Sequence, residues 1–321
     1  MGMSRLAELV GRMFPGRADR ARPAKLHHLW SIGIYRGRTP RDLRPAVDVA
    51  NPVLTRAQVT DVPALFVADP FMISHGGGWY MFFEVMNGRT GKGEIGMASS
   101  SDGIRWRYEK IVLSEPFHLS YPFVFEWDGT CYMLPECHQT GTVRLYQARV
   151  FPASWTYCAT LLQGERFADA SVLRYEDRWW LFTETAPDLR HDTLRLYYSA
   201  SLDGAWTEHP ASPIVRGNPH LARPGGRLLQ DREQLYRFAQ DCYPAYGTRV
   251  RTLRIAELSP THYREEEIDA NRALGPSGSD WNRSGMHHVD AHCRAPEDWL
   301  ACVDGWTAAP MDEYMRPVRR P

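Results

Sequence analysis

Val67-Ala68-Asp69-Pro70-Phe71-Met72-Ile73-Ser74-His75 runs into Gly76-Gly77-Gly78 and is answered by Trp79-Tyr80-Met81-Phe82-Phe83-Glu84. Two apolar runs around a glycine turn read as a tight β-hairpin, here with an acid at each open end. The pattern returns in Ser120-Tyr121-Pro122 through Asp128-Gly129 to Met133-Leu134-Pro135-Glu136. It returns again in Ala168-Asp169-Ala170 through Trp179-Trp180-Leu181-Phe182-Thr183-Glu184. Weaker copies are Ala222-Arg223-Pro224 to Gln240-Asp241 and His287-His288-Val289-Asp290 to Asp304-Gly305. The anchors Asp69, Tyr121, Asp169, Arg223 and His288 recur at intervals of roughly 50 residues, the last longer, which is the period of a repeat architecture.

In each of the three clear units two further strand-like runs follow the hairpin. In the first they are Gly93 to Ser99 and Trp106 to Leu113; in the second, Val143 to Ala148 and Trp155 to Leu162; in the third, Leu194 to Ser199 and Trp206 onward. Short strands in fours, with no helical period between them, predict an all-β fold, a five-bladed β-propeller. A β-sandwich would not explain the regular spacing. Trp30 to Tyr35 alternates as a strand does and is expected to close the ring against the last blade. The domain expectation is one propeller over residues 26–321, preceded by a basic arm, residues 1–25. In that arm Leu6, Leu9, Val10 and Met13 suggest a short amphipathic helix, either a docked or frayed arm or one lying on a membrane surface.

Composition narrows the function classes. Lys and Arg number 38 against 38 Asp and Glu, so no nucleic-acid partner held by phosphate neutralisation is expected. The arm has no apolar run of signal-peptide length, and no window suits a transmembrane helix. The six cysteines form no CxxC pair, as befits free thiols in a reducing compartment; a cytoplasmic location is the expectation. No P-loop, GxGxxG, GxSxG or HExxH motif is present, and no cofactor is expected. Aromatic residues make up 12% of the chain, which suits β-structure and sugar stacking alike. Ser100-Ser101-Asp102-Gly103-Ile104-Arg105-Trp106 resembles the structural Asp-box turn of sialidase-type propellers.

The candidate site follows from the hairpins. In each clear copy a glutamate stands fifteen positions after the anchor: Glu84 after Asp69, Glu136 after Tyr121, Glu184 after Asp169. With turns centred on Gly76-Gly77, Asp128-Gly129 and Glu176-Asp177, each glutamate is expected directly across from its anchor. Innermost strands line a propeller's channel, so these acids should converge at one mouth. Clustered carboxylates raise one another's proton affinity, which separates an acid from a base; alternatively, the repeated glutamate bonds backbone N–H groups between blades. Asp69, Asp169 and Glu184 are therefore the catalytic candidates. Glu84, Tyr121, Glu136, Arg223, Gln240, Asp241, His288 and Asp290 are candidate substrate contacts. His288, Asp290 and His292 alternate along one strand and face one side; they could hold a transition metal, touch substrate or serve structure. Arg223 could bind an anionic ligand group or neutralise the acidic ring.

Ala68-Asp69-Pro70-Phe71, Phe83-Glu84, Gly91-Lys92-Gly93-Glu94-Ile95, Leu119-Ser120-Tyr121-Pro122, Met133-Leu134-Pro135-Glu136 and Tyr246-Gly247 carry a resemblance. Over roughly residues 26–306 the chain is similar to the N-terminal propeller domain of glucosamine inositolphosphorylceramide transferases. The likeness implies glycan or glycoconjugate metabolism, with a carbohydrate, sugar-nucleotide or glycolipid substrate. In the plant enzymes transfer is expected from a separate exostosin-like domain, which is not expected within this sequence, so a partner glycosyltransferase is implied. More distantly the repeats resemble the five-bladed glycosidases of family 43, whose acids on the first three blades act as base, pKa modulator and general acid. On that likeness Asp69 matches the base and Asp169 stands at the acid, while Tyr121 replaces the middle carboxylate and Asp169 the usual glutamate. A glycosyl-cleaving or glycosyl-transferring enzyme is one reading. A non-catalytic glycan-binding or scaffold propeller, or an interaction propeller unrelated to sugars, are the others.

Overall fold

The computed structural model describes residues 26–268, 274–278 and 280–316; the expected arm, residues 1–25, lies outside them. The described chain forms five antiparallel sheets arranged as the blades of a propeller. Blade 1 comprises strands Ala64–His75, Gly78–Asn87, Lys92–Ser100 and Arg107–Leu113. Blade 2 comprises Ser120–Trp127, Thr130–Glu136, Thr142–Val150 and Ser154–Gln163. In blade 3, Ala168–Tyr175, Arg178–Glu184 and Thr193–Ser199 are full strands, but the outer edge shrinks to Thr207–Glu208 and Val215–Arg216. Blade 4 has a broken inner strand, Arg223–Pro224 and Leu229–Asp231, backed by Gln234–Asp241, Arg249–Leu258 and Tyr263–Ile268.

Blade 5 joins the two ends of the described chain. Val289–Ala295 and Asp298–Pro310 are its inner strands, and Leu26–Gly37 is its third, in register from Leu26 with Pro310 to Gly37 with Trp299. The closing strand read at Trp30 to Tyr35 is thus found, longer at both ends. Closure of this kind ties the two ends of the described chain into one blade, and the short inner edges are left only where they line the channel. Between blades the sheet faces interlock apolar side chains: Phe71, Phe82, Phe123 and Met133 lie in one cluster, Met72, Met81, Ile32 and Leu300 in another. Alternate residues of one strand therefore serve opposite neighbours, as the period of two requires.

The hairpin tips obey the expected arithmetic: His75 pairs with Gly78, Trp127 with Thr130 and Tyr175 with Arg178. Both central residues of each turn have positive φ, the geometry that matches strand twist. The open ends do not obey it. Glu84 pairs with Ala68, Glu136 with Ser120 and Glu184 with Ala168, each followed by a register shift. One extra residue has been inserted, a β-bulge in all three blades. Asp69, Tyr121 and Asp169 sit in it with φ of 52°, 44° and 53°. Left-handed backbone is costly for a non-glycine residue and persists only where the surroundings hold it. In the first two bulges acids of the preceding blade do so: Asp69 N–H donates to Asp304 Oδ2 at 3.1 Å and Tyr121 N–H to Asp69 Oδ2 at 3.2 Å.

Candidate functional site

The bulges turn Asp69 and Asp169 into the N-terminal mouth of the channel, where Glu84, Glu136 and Glu184 also arrive. All five are buried, at most 6% exposed. Arg223, from blade 4, organises one half of the ring. Its Nε donates to Asp169 Oδ2 at 2.6 Å, its Nη2 to Glu136 Oε2 at 3.2 Å, and its Nη1 lies 3.0 Å from His191 Nδ1. Tyr246 lies under the guanidinium, 5.2 Å from the ring centre. Gln240 donates to Asp169 Oδ2 and to the Pro224 carbonyl. His138 lies 2.7 Å from Glu136 Oε1.

One guanidinium between two buried carboxyls leaves a proton with one of them. Burial pushes Asp169 well above the ordinary carboxylate range, and the neighbouring Glu136 charge adds to this against the pull of Arg223. Burial would raise Glu136 as well, but the His138 hydrogen bond and the Arg223 charge outweigh it and hold Glu136 low. Two adjacent acids with affinities pushed apart form a donor and an acceptor of protons.

The other half of the ring is built on blades 5 and 1. Burial lifts Asp69 to about 6, partly offset by His287. Its Oδ2 accepts the Tyr121 N–H, while its Oδ1 has no hydrogen-bond partner among the described residues and lies 3.7 Å from His287 Nε2. His287 is sandwiched by chemistry on three sides. Its Nδ1 is 2.7 Å from Asp304 Oδ2, Trp30 stacks on its ring at 3.9 Å, and Tyr246 meets it edge-on at 5.1 Å. Burial opposes a charge on His287, yet Asp304 and Asp69 raise its proton affinity. Gly247, with φ of 73°, admits the Trp30 ring, which a Cβ at that position would meet at 2.6 Å. Glu84, raised mainly by burial and then by Asp69 and the other acids, has one oxygen 3.4 Å from His118 Nε2. Because His118 Nδ1 accepts the Gly93 N–H at 2.9 Å, the proton of the neutral ring sits on Nε2.

Several expected contacts are elsewhere. Tyr121 does not stand at the mouth. It is fully buried and crosses the channel, where its hydroxyl accepts the Gly226 N–H at 2.7 Å, donates to the Gly226 carbonyl at 3.0 Å and lies 2.9 Å from Ser171 Oγ. Glu184 reaches the mouth but is held by the Ala186 N–H at 2.6 Å and by Arg166 at 3.2 Å. Asp241 turns to His220, Arg251 and the Tyr243 N–H. His288 lies mid-channel against Phe71 and Tyr121, and burial lowers it to about 4, so it is neutral. Asp290 lies a layer deeper, taken up by Arg227 at 2.7 Å, the Met72 N–H and His292. Of the His288, Asp290 and His292 set, Asp290 and His292 are hydrogen-bonded, Arg227 is the cation on Asp290, and His288 precedes the strand with both ring nitrogens lacking hydrogen-bond partners among the described residues.

The profile of the family described as glucosamine inositolphosphorylceramide transferase 1, N-terminal, matches residues 25–306. The chain belongs to this family. It is 38% identical over 296 residues to glucosamine inositolphosphorylceramide transferase 1 of Oryza sativa subsp. japonica, covering 86% of this chain and 40% of the relative. The chain thus spans about two fifths of the length of the curated relatives it matches. Among solved structures, β-1,2-mannobiose phosphorylase from Listeria innocua superposes with a TM-score of 0.60 at 12% identity, over 88% of this chain and 98% of that one. The catalytic domain of an α-L-arabinofuranosidase from Coprinopsis cinerea gives 0.56 at 12% identity, over 78% and 93%. These likenesses establish the five-bladed fold.

Within this family member, the sequence reading missed the residues that shape the mouth from blade 5. His287 and Asp304 belong to the fifth repeat, where the anchor was set at His288. The backbone N–H groups of His287 and His288 both donate to Asp304 Oδ1, so the acid that secures this blade's entry was present in the pattern but displaced in it. Trp30 was read only as a closing strand. Arg227 lies in the gap of the broken inner strand of blade 4, where no repeat predicts a channel residue.

Proposed function

We propose that this propeller is carbohydrate-active and works in glycan or glycoconjugate metabolism, handling a glycosyl group at the acidic channel mouth. Both the family's name and the sugar-handling propellers of like fold support that class. The observation that carries the finer reading is Asp69: a buried carboxylate with one oxygen unpartnered among the described residues, raised to about 6, on the same mouth as the proton-sharing Glu136 and Asp169. In this reading Asp69 is the base or nucleophile and Asp169, which keeps its proton, the general acid. Glu184, taken up by Arg166, orients the Asp169 side of the ring. Tyr246, partly exposed beside Arg223, supplies an aromatic surface against which a sugar ring packs, while buried Trp30 holds His287 in place beneath it.

The test begins with a thermal-shift screen of glycans and sugar nucleotides, since a ligand of the folded state raises its midpoint. Turnover of any hit is then compared in Asp69→Asn and Asp169→Asn. General acid–base catalysis contributes roughly 10²–10⁴-fold, so each variant should lose at least two orders of magnitude in kcat. Wild-type turnover in both would end the catalytic assignment. A second reading, a non-catalytic glycan-binding propeller that partners a transferase, is favoured by Tyr121, because the middle carboxylate of the glycosidase pattern has become a channel cross-link. It predicts a ligand that binds without turnover and that survives both substitutions.

A further inference from the structure

A different group of metal-binding side chains lies at the far end of the inner strands, where the hairpin tips of blades 1 and 2 meet. His75 ends the inner strand of blade 1, paired with Gly78. Glu126 and Cys131 are cross-strand partners one pair short of the tip of the blade 2 hairpin, so their side chains leave the sheet on one face. His75 Nδ1 is 3.0 Å from Glu126 Oε2 and 3.9 Å from Cys131 Sγ, and the three atoms all lie within 4.8 Å of one another. Phe151 packs on the imidazole with ring centres 4.6 Å apart, which restrains the ring with Nδ1 toward the other two donors.

We propose that His75, Glu126 and Cys131 form a binding site for a zinc-type transition-metal cation that staples blade 1 to blade 2. One imidazole nitrogen, one carboxylate oxygen and one sulfur are a donor set suited to such a cation and unsuited to calcium or magnesium. Bond lengths of about 2.0–2.3 Å in a tetrahedron set ligand atoms roughly 3–4 Å apart, and the two shorter separations already lie in that span. The side chains of His75 and Glu126 are 39% and 43% exposed, leaving an entry path and room for water as the fourth ligand. Cys131 is buried, and burial followed by the Glu126 charge pushes its thiol up to about 11. On binding, its S–H proton passes to solvent and the sulfur lone pair forms the metal bond, so binding is coupled to proton release.

The experiment uses the full chain without an affinity tag, titrated with cobalt(II) and then zinc(II). Expected are one equivalent of cobalt bound with a thiolate-to-cobalt band in the near ultraviolet, about one proton released, and a raised thermal midpoint with zinc. Cys131→Ser should abolish the band and weaken binding at least a hundredfold. His75→Gln, which keeps the thiol and alters only a half-exposed tip, should weaken binding at least tenfold. No binding overturns the site, as does binding without the thiolate band. A band that persists in Cys131→Ser also overturns it, since Cys158 and Cys293 are exposed thiols.

Discussion

Asp69 and Tyr121 occupy the same place in successive blades, in the same bulge, with φ of 52° and 44°, yet their side chains do opposite things. Asp69 stays at the mouth with one oxygen that has no hydrogen-bond partner among the described residues, its proton affinity raised by the cost of burying its charge. Tyr121 leaves the mouth, crosses to blade 4 and satisfies both polar groups of Gly226. A repeat copies a backbone, because the bulge is fixed by hydrogen bonds to the main chain. It does not copy what the side chain on that backbone reaches. The acidic mouth and the tyrosine-sealed layer beneath it should therefore respond to substitution in different ways.

Arg223 gives the largest expected effect. Arg223→Met removes the cation between Asp169 and Glu136 without opening a large void. Breaking a buried ion pair from one side costs roughly 3–5 kcal/mol, measurable by urea unfolding at pH 7.5. The loss should shrink at pH 5, where the freed carboxyls take up protons. An equal loss at both values would mean that packing, not charge, explains the effect and would erase the electrostatic side of the contrast.

Asp69→Asn should run the other way. The folded-state pKa of Asp69, about 6, lies above its unfolded value of 3.8. Below the lower value both states are protonated and the group is neutral to stability. As pH rises through that interval the unfolded state ionises first, so stability is lost, and above it the full penalty remains. At about 1.4 kcal/mol per pH unit, the asparagine variant should be more stable than wild type by roughly 2–3 kcal/mol at pH 7.5 and by little at pH 3.5. Gained stability with lost turnover is the signature of a strained functional site. A stability difference that does not change with pH would place Asp69 with the structural residues.

The fold was readable because hairpin turns, strand length and period are local. Asp128-Gly129 marks its turn in the sequence, and the unbroken apolar run from Trp79 to Phe83 marks a strand buried on both faces. The mouth was readable as a place and unreadable in its parts. A bulge inserts one residue without a composition signal, so Glu84 was assigned to Asp69 when it pairs with Ala68. Asp304 and His287 were hidden by a fifth repeat whose anchor is shifted. Tyr121 was misread for a physical reason: its direction is set by Gly226, a residue 105 positions away, in a bulged backbone with φ of 135° where a Cβ would run into the Val289 carbonyl. Such long-range partners leave no trace in local periodicity.

The sealed layer should yield smaller effects, confined to stability. Tyr121→Phe keeps the ring against Phe71 and His288 but leaves the Gly226 N–H without its acceptor. A buried donor so stranded costs about 1–3 kcal/mol, with kcat unchanged because no mouth carboxylate has lost its side-chain partner. A fall in kcat beyond tenfold would merge the two layers into one site.

Ser171→Ala is the finest probe of that layer. Ser171 Oγ lies 2.9 Å from the tyrosine hydroxyl and 3.3 Å from the Gly226 carbonyl, so it is a second donor to a carbonyl that Tyr121 already serves. Alone, its loss should cost about 1 kcal/mol or less. In the tyrosine-to-phenylalanine background the same change should cost more, because Ser171 is then the remaining hydroxyl donor to that carbonyl. The double-mutant cycle should therefore return a coupling of roughly 0.5–1 kcal/mol. Strict additivity would mean that Tyr121 and Ser171 bond Gly226 independently, and the channel would be closed by one side chain, not by a shared network.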